Sequence, residues 1–105
     1  MQLCHSPFKT GFWYTYIVLC GDGTLYTGVT TDPVRRVAEH NSARGGARYT
    51  RSRQPVRLVF LEPQPSRSAA CRRERAIKDL SATDKKYLIT LQQDAADCTP
   101  PRLAP

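Results

Sequence analysis

The stretch LYTGVTTDPVRRVAEHN, residues 25–41, holds side chains whose types and spacing could support chemistry on a phosphate. Arg36 and His40 are four residues apart, so in a helix they lie on the same face. Arginine binds phosphate through its planar guanidinium group, and tyrosine and histidine can both donate and accept protons. A simple connection between a strand and a helix requires none of these side chains. We therefore expect Tyr26, Arg36 and His40 to share a site.

Positive charge is concentrated in the middle of the chain. The 105 residues include 16 Lys and Arg and 9 Asp and Glu, a formal net charge of +7. Residues 35–78 contain twelve of the basic side chains, eleven of them arginine, and only three acidic ones. Such a block indicates a polyanionic partner, and we expect nucleic acid. The alternative is a solvated basic face that only keeps the protein soluble.

A hairpin of two strands is expected to position the tyrosines. WYTYIVLC and TLYTGVT have the aromatic and β-branched composition of strands, and the Gly-Asp-Gly between them indicates a turn. A three-residue loop would pair Tyr16 with Gly28 and place Ile17 and Leu19 on an apolar face. Tyr16 and Tyr26 then lie together on the other face, whereas a two-residue loop would separate them.

The remaining patterns predict a small α/β (α+β) domain with the element order β-β-α-β-α-α. Its three strands should form a largely antiparallel sheet flanked by helices. Asp32 can cap the first helix, in which Val34, Val37 and Ala38 form an apolar stripe. The later segments are expected to be a loop over residues 42–54, the strand VRLVFLE, a helix over residues 68–80 and a helix that begins with a capping box at Ser81 and Asp84.

Length and composition predict a single domain without a membrane anchor. We expect the domain over residues 12–92, an N-terminal extension over 1–11 and a proline-rich, disordered tail over 93–105. The longest apolar run, FWYTYIVLC, is about half the length that a membrane-spanning helix needs. The N-terminus lacks the pattern of a secretory signal, so a cytoplasmic protein is expected. The four cysteines are too scattered for a zinc site.

The order of these residues resembles the GIY-YIG nuclease superfamily, most closely its small single-domain branch of endonucleases. The resemblance spans about residues 13–90 and includes the stretches ARYTR and CRRERAIKDLS. Several active members carry an asparagine at a position that corresponds here to about Ile89, and the nearest asparagine downstream of any motif is Asn41. The motif residues are Tyr14-Thr15-Tyr16, Tyr26-Thr27-Gly28, Arg36, His40 and Glu74.

The resemblance implies a hydrolase, a metal-dependent endonuclease that cuts phosphodiester bonds with structure-selective or weak specificity. DNA is expected as the partner rather than RNA, in a context such as DNA repair, and an unidentified protein could deliver the substrate. Arg48, Arg51 and Arg53 are expected to follow the nucleic-acid backbone. A basic loop of this kind would bind phosphates without reading bases.

The resemblance also assigns catalytic roles. Glu74 would bind one divalent cation, Mg²⁺ or Mn²⁺, and Arg36 would neutralise the phosphate oxygens. Tyr16 would take a proton from the attacking water and His40 would relay it, although His40 itself is the alternative base. Tyr26 would orient the water or the phosphate.

Ordinary structural roles remain open for several of these side chains. Glu74 and Lys78 have the spacing of a common ion pair on a helix, and Arg35 and Glu39 have the spacing of a solvated pair. Tyr14 and Tyr16 could be packing aromatics, and the joint pattern leaves an ordinary structural role in place for Tyr14, Lys78 and Tyr49. The competing function is a non-catalytic nucleic-acid-binding domain that retains the same fold.

Overall fold

The computed structural model describes residues 12–42 and 47–97, which fold into one three-stranded sheet with helices packed on both faces. This confirms the predicted α+β class and the order of the main elements. In chain order the elements are β1 (Trp13–Leu19), β2 (Leu25–Thr30), α1 (Pro33–His40), α2 (Arg48–Arg51), β3 (Arg57–Gln64), α3 (Arg67–Lys78) and α4 (Ala82–Asp97).

The sheet has β1 at its centre, antiparallel to both β2 and β3. Tyr16 is opposite Gly28, as the three-residue loop predicts. The amide of Cys20 donates to the carbonyl of Thr24 at 2.8 Å and closes this loop. Gly23 has a φ of +87°, a left-handed conformation that favours glycine over other residues. The predicted register of the hairpin is therefore confirmed.

The two faces of the sheet contact different helices. Val37 of α1 packs on the face that carries Tyr16, and Ile77 of α3 and Ile89 of α4 pack on the opposite face. The buried residues on the first face are Tyr16, Val18, Cys20 and Val56, and those on the second face are Ile17, Phe60, Ile77 and Ile89. The alternating side chains of β1 supply both clusters because the strand is covered on both sides.

Helix α1 differs from the expectation in the face that it buries. Asp32 caps the helix as predicted, since its carboxylate accepts the amide of Arg35 at 3.1 Å. The predicted apolar stripe is correct only for Val37, because Val34 is 53% exposed and Ala38 is also exposed. The buried positions are Pro33 and His40. A polar residue occupies the inner face because hydrogen bonds satisfy its ring.

The later helices differ from the prediction mainly at their ends. The expected loop over residues 42–54 contains α2, and residues 43–46 lie outside the described part of the chain. Helix α3 begins after Ser66, whose hydroxyl accepts the amide of Ala69 at 3.1 Å. Ser81 accepts the amide of Asp84 at 3.1 Å, as predicted. Helix α4 continues to Asp97, five residues beyond the predicted end of the domain.

Several sequence predictions concern regions that are described only in part. Residues 1–11 and 98–105, which include the proposed extension and most of the proposed tail, lie outside the described residues. Within the described ranges, no helix is long and apolar enough to cross a membrane. Cys20 and Cys71 are free thiols.

Candidate active site

The ring of Tyr16 lies close against the backbone of the neighbouring strand. The side chain is only 1% exposed. A Cβ atom added to Gly28, directly across the sheet, would lie 2.6 Å from the Tyr16 hydroxyl oxygen and 2.7 Å from its Cζ atom. Such distances are too short for any side chain at this position. The glycine of β2 is therefore required by the orientation of Tyr16.

His40 is the hydrogen-bond partner of the Tyr16 hydroxyl. Its Nε2 atom lies 2.8 Å from that oxygen, and its Nδ1 atom lies 2.7 Å from the hydroxyl oxygen of Thr50. The amide of Ala47 also points to Nδ1, at the longer distance of 3.4 Å. Because both ring nitrogens have partners, the imidazole can be completely buried at the end of α1.

The environment moves the pKa values of these two residues in opposite directions. Burial, together with the charge of Arg36, lowers the pKa of His40 to about 4. Burial raises the pKa of Tyr16 to about 12, although a hydrogen bond and the charge of Arg36 oppose the shift. At neutral pH the site therefore holds a protonated tyrosine beside a neutral histidine.

Arg36 is shared between Tyr16 and an acidic neighbour. Burial opposes its charge, but hydrogen bonds with Glu39 and Tyr16 outweigh this effect and raise the pKa of the guanidinium. Its Nη1 atom lies 2.9 Å from Glu39 Oε1, while Arg35 Nε lies 3.4 Å from Oε2 of the same carboxylate. The expected solvated pair of Arg35 and Glu39 is thus part of a triad in which Glu39 neutralises the arginine of the site.

Glu74 lies on α3, which contacts the edge strand that carries Tyr26. Helix α3 covers the opposite face, but it also packs against the edge strand β2. Lys78 Nζ lies 3.1 Å from Glu74 Oε2 and 5.9 Å from the centre of the Tyr26 ring. The charge of Glu74 also contributes to the raised pKa of Tyr16. The Glu74 carboxylate thus forms the predicted ion pair with Lys78 and is near enough for its charge to act on Tyr16.

An aromatic stack borders the site on the side of α2. The Tyr26 ring contacts the His40 ring edge-on, with 5.4 Å between the ring centres. Tyr49 stacks on Tyr26 at 5.8 Å, and the guanidinium carbon of Arg53 lies 3.9 Å from the centre of the Tyr49 ring. Tyr49 therefore joins the site, a role that its sequence pattern did not predict. The one feature of the sequence that could have indicated this role is that Tyr49 lies within the family-like stretch ARYTR.

The three arginines that were expected to bind nucleic acid have different environments. Arg53 Nε lies 3.0 Å from Asp22 Oδ2, as an ion pair without hydrogen-bond geometry, and its Nη1 donates to the carbonyl of Tyr49 at 2.8 Å. Arg48 and Arg51 are exposed on α2. Arg48 and Arg51 can therefore contact a polyanion directly, whereas Arg53 would first have to leave Asp22 and Tyr49.

A family profile that describes the GIY-YIG catalytic domain matches residues 12–88 of this chain. The chain belongs to the GIY-YIG family, which is a family of nucleases. A UPF0213 protein from Desulfotalea psychrophila is 60% identical over 77 residues, which cover 73% of this chain and 70% of that protein. A UPF0213 protein from Natronomonas pharaonis is 53% identical over 76 residues, 72% of this chain and 88% of that protein.

Two solved structures support the same assignment. The solution NMR structure of a UPF0213 protein from Bacillus halodurans is 46% identical, with a TM-score of 0.50, and the match covers 76% of this chain and 84% of that one. The solution NMR structure of a protein from E. faecalis is 39% identical, with a TM-score of 0.54 over 85% of this chain and 93% of that one. The predicted resemblance to small single-domain GIY-YIG proteins is thus confirmed.

GIY-YIG nucleases generally use divalent metal ions, and the donor set here restricts how one could be held. Within residues 12–42 and 47–97, no group of three or more His, Cys, Asp and Glu side chains is arranged around a common metal position. Glu74 can offer one carboxylate. This is compatible with Mg²⁺, which retains several waters and often binds through one carboxylate and substrate phosphates.

The two candidates for the asparagine of the GIY-YIG pattern have structural roles in this domain. Ile89 belongs to the core between α4 and the sheet. Asn41 donates to the carbonyl of Val56 at 2.9 Å and accepts its amide at 2.7 Å, which joins the end of α1 to the start of β3. Neither residue supplies a polar contact to the tyrosine site.

Proposed function

We propose that this GIY-YIG domain is a metal-dependent endonuclease that hydrolyses phosphodiester bonds in DNA. Family membership supports the nuclease class. The observation that supports catalysis is the convergence on one hydroxyl group: Tyr16 is bonded to the neutral ring of His40, and Arg36 and Glu74 both influence its ionisation. A purely structural tyrosine does not require this combination of charges.

Arg36 is suited to bind the phosphate that is cut. Its guanidinium contacts Glu39, a carboxylate that presents two oxygens as a phosphate does. A phosphate that replaced Glu39 would lie near the Tyr16 hydroxyl, because the Arg36 guanidinium is close enough to Tyr16 to lower its pKa. The arginine would then stabilise the charge that develops on the phosphate oxygens during hydrolysis.

The proton of the attacking water would move through Tyr16 to His40. A tyrosine with a pKa of about 12 is a poor base on its own. As Tyr16 takes the proton of water, its own hydroxyl proton can pass to Nε2 of His40, only 2.8 Å away. His40 is fully buried, and its Nε2 is occupied by Tyr16, so His40 is poorly placed to remove a proton from water directly. Tyr26 would help to orient the water or the phosphate.

Glu74 is the residue that would hold the divalent cation, Mg²⁺ or Mn²⁺. When bound, the cation would supply positive charge to the phosphate and to the leaving oxygen. To serve as its ligand, the Glu74 carboxylate would exchange part of its contact with Lys78. Because that pair is partly exposed, it is a weak competitor.

The proposed substrate is DNA held mainly by its phosphates. Arg48 and Arg51 lie on α2, next to Tyr49 and the site. Contacts of arginine with phosphates fix the position of a nucleic acid without reading its sequence. Weak or structure-dependent specificity follows from this arrangement.

The second candidate is a domain that binds nucleic acid without cutting it. It is favoured by one observation, the structural use of Ile89 and Asn41 in place of a polar residue at the site. Such a domain would retain the basic surface and bind DNA, but it would release intact strands whether or not a divalent cation is added.

A nicking assay separates these two functions. Branched DNA, single-stranded DNA and RNA are incubated with Mg²⁺, Mn²⁺ or EDTA, and strand breaks are counted. We expect metal-dependent cleavage by the wild type and none by Glu74→Gln, which removes the charge but keeps the size. Glu62→Gln is the matched control, because Glu62 of β3 also forms an ion pair with a basic side chain of α3, Arg73, at 2.8 Å. No cleavage by the wild type with any cation would favour the binding domain.

A further inference from the structure

Thr50 is a buried polar residue that contacts His40, the proposed proton acceptor, at the ring nitrogen that does not face Tyr16. Its side chain and that of His40 are both completely buried. Its hydroxyl oxygen lies 2.7 Å from Nδ1 of His40 and 3.0 Å from the carbonyl oxygen of Ala47. The contacts therefore form one chain of hydrogen bonds, from Tyr16 through the imidazole to the backbone of α2.

The direction of this chain follows from the groups at its end. The carbonyl oxygen of Ala47 can only accept, and the hydroxyl of Thr50 has a single hydrogen to donate. A threonine in a helical turn commonly donates to the carbonyl three or four residues earlier, which is the contact seen with Ala47. The hydroxyl oxygen is then free to accept a hydrogen from Nδ1 of His40. With Nδ1 protonated, the neutral ring keeps its lone pair on Nε2.

The opposite direction would prevent the proposed relay. If Thr50 donated to Nδ1, the hydrogen of the neutral ring would be on Nε2, and that atom could not take the proton of Tyr16. The amide of Ala47 would suit this arrangement, but its distance of 3.4 Å from Nδ1 is long for a hydrogen bond, whereas Thr50 is at 2.7 Å. The 2.7 Å contact fits either donor, but the Thr50 hydroxyl already donates its one hydrogen to the carbonyl of Ala47, which leaves Nδ1 as the donor.

We propose that Thr50 is a positioning residue that holds His40 in the Nδ1-protonated form, so that Nε2 can accept the hydroxyl proton of Tyr16. The catalytic consequence rests on the proposed nuclease function. The tautomer of His40 belongs to the free domain and does not depend on any substrate.

The tautomer can be read directly from the free protein by NMR of ¹⁵N-labelled histidine at neutral pH. The His40 signals are assigned by their loss in His40→Gln, since the chain contains one other histidine, His5. We expect a protonated Nδ1 and an unprotonated Nε2 in the wild type and in Thr50→Ser, which keeps the hydroxyl. Thr50→Val should shift the ring toward the Nε2-protonated form. A wild-type ring that is protonated on Nε2 would overturn the proposal, even if Thr50→Val failed to fold.

Thr15→Val is the matched structural control. Thr15 is also completely buried, and its hydroxyl donates to a backbone carbonyl, that of Ala70, at 3.0 Å. It lies on the opposite face of the sheet from His40. This variant should lose a similar buried hydrogen bond and leave the His40 signals unchanged. Equal changes of the His40 signals in both valine variants would assign Thr50 a merely structural role.

Cleavage supplies the second readout. We expect Thr50→Val to slow metal-dependent nicking on the order of 10- to 100-fold, at or below the lower end of what a whole general acid or base contributes, and Thr50→Ser to restore it. Wild-type rates in a folded Thr50→Val would overturn the positioning role. If the wild type cuts nothing but shows the expected tautomer, the proposed nuclease function fails and the assignment of the tautomer stands.

Discussion

The Tyr16 hydroxyl lies 2.8 Å from Nε2 of His40, inside a site where both side chains are almost completely buried. Burial favours the neutral form of each residue, so the pKa of the tyrosine rises to about 12 and that of the histidine falls to about 4. The pair is therefore uncharged over a wide pH range. In the proposed relay the proton that passes from Tyr16 to His40 is replaced by the proton of the attacking water, and Arg36 would stabilise any negative charge that develops on Tyr16 during the transfer.

The burial of His40 should make the unfolding free energy of the domain depend on pH in the acidic range. Below pH 6.5 an unfolded chain binds a proton at this position, while the folded domain does not until the pH reaches about 4. Folding stability should fall as the pH drops through this window, by up to about 3 kcal/mol from this residue. Urea unfolding at a series of pH values tests the slope. His40→Gln should lose this part of the slope, and an unchanged slope in that variant would refute the assignment.

Tyr16 should affect stability at the alkaline end instead. Its pKa is raised from 10 to about 12, so its contribution is complete below pH 10 and is lost as the pH rises through about 12. The tyrosinate absorbance of wild type minus that of Tyr16→Phe should titrate near the upper value. A difference curve centred near the ordinary value would show that the hydroxyl is open to water. Tyr16→Phe should also retain DNA binding and lose cleavage.

The contact of Gly28 with Tyr16 can be tested by adding one methyl group. Gly28→Ala would place its Cβ 2.6 Å from the Tyr16 hydroxyl oxygen, so the ring must move. We expect a loss of about 1–3 kcal/mol in unfolding free energy and a change in the His40 signals. Gly23→Ala strains the backbone at a φ of +87° but has no such neighbour. This control should lower stability and leave the His40 signals in place.

Glu39 should weaken the binding of nucleic acid, because its carboxylate occupies Arg36 at 2.9 Å. Glu39→Gln removes that competing charge, and we expect tighter binding of single-stranded and branched DNA at low salt. Arg36→Ala should reduce binding modestly and abolish nicking, since the same guanidinium would contact the phosphate in both steps. Glu62→Gln is the control for a changed net charge. Equal gains in affinity for the two glutamine variants would show that Arg36 is not the phosphate site.

The sequence predicted the arrangement around the hairpin but not the environment of His40. Alternation along β1 and a three-residue loop determine which side chains share a face, so Tyr16, Tyr26 and Gly28 were placed correctly. The roles of Thr50 and Tyr49 depend on the packing of α2 against His40 of α1 and Tyr26 of β2. A four-residue helix in an arginine-rich segment has no periodicity that distinguishes it from a loop. Contacts between distant segments carry that information, and local patterns do not.

Helix α1 shows the same limit in its apolar residues. Val34 and Ala38 have the composition of a buried stripe, yet they are exposed. The inner face instead contains His40, which is buried because Tyr16 and Thr50 satisfy both its nitrogens. Hydrogen-bond partners from other elements thus allow a polar residue to be buried where composition alone suggests an apolar one.

The salt dependence of DNA binding should separate Arg48 and Arg51 from Arg53. The first two are exposed on α2, so each is expected to contact a phosphate, and each alanine substitution should reduce the slope of log affinity against log salt by about 0.7 to 0.9. Arg53 is held by Asp22 and by the ring of Tyr49. Arg53→Ala should therefore clearly lower the unfolding temperature, and it should change the salt slope less than the other two substitutions do. If all three substitutions reduced the slope equally and left stability unchanged, Arg53 would contact a DNA phosphate as the other two do. DNA would then displace its interactions with Asp22 and Tyr49.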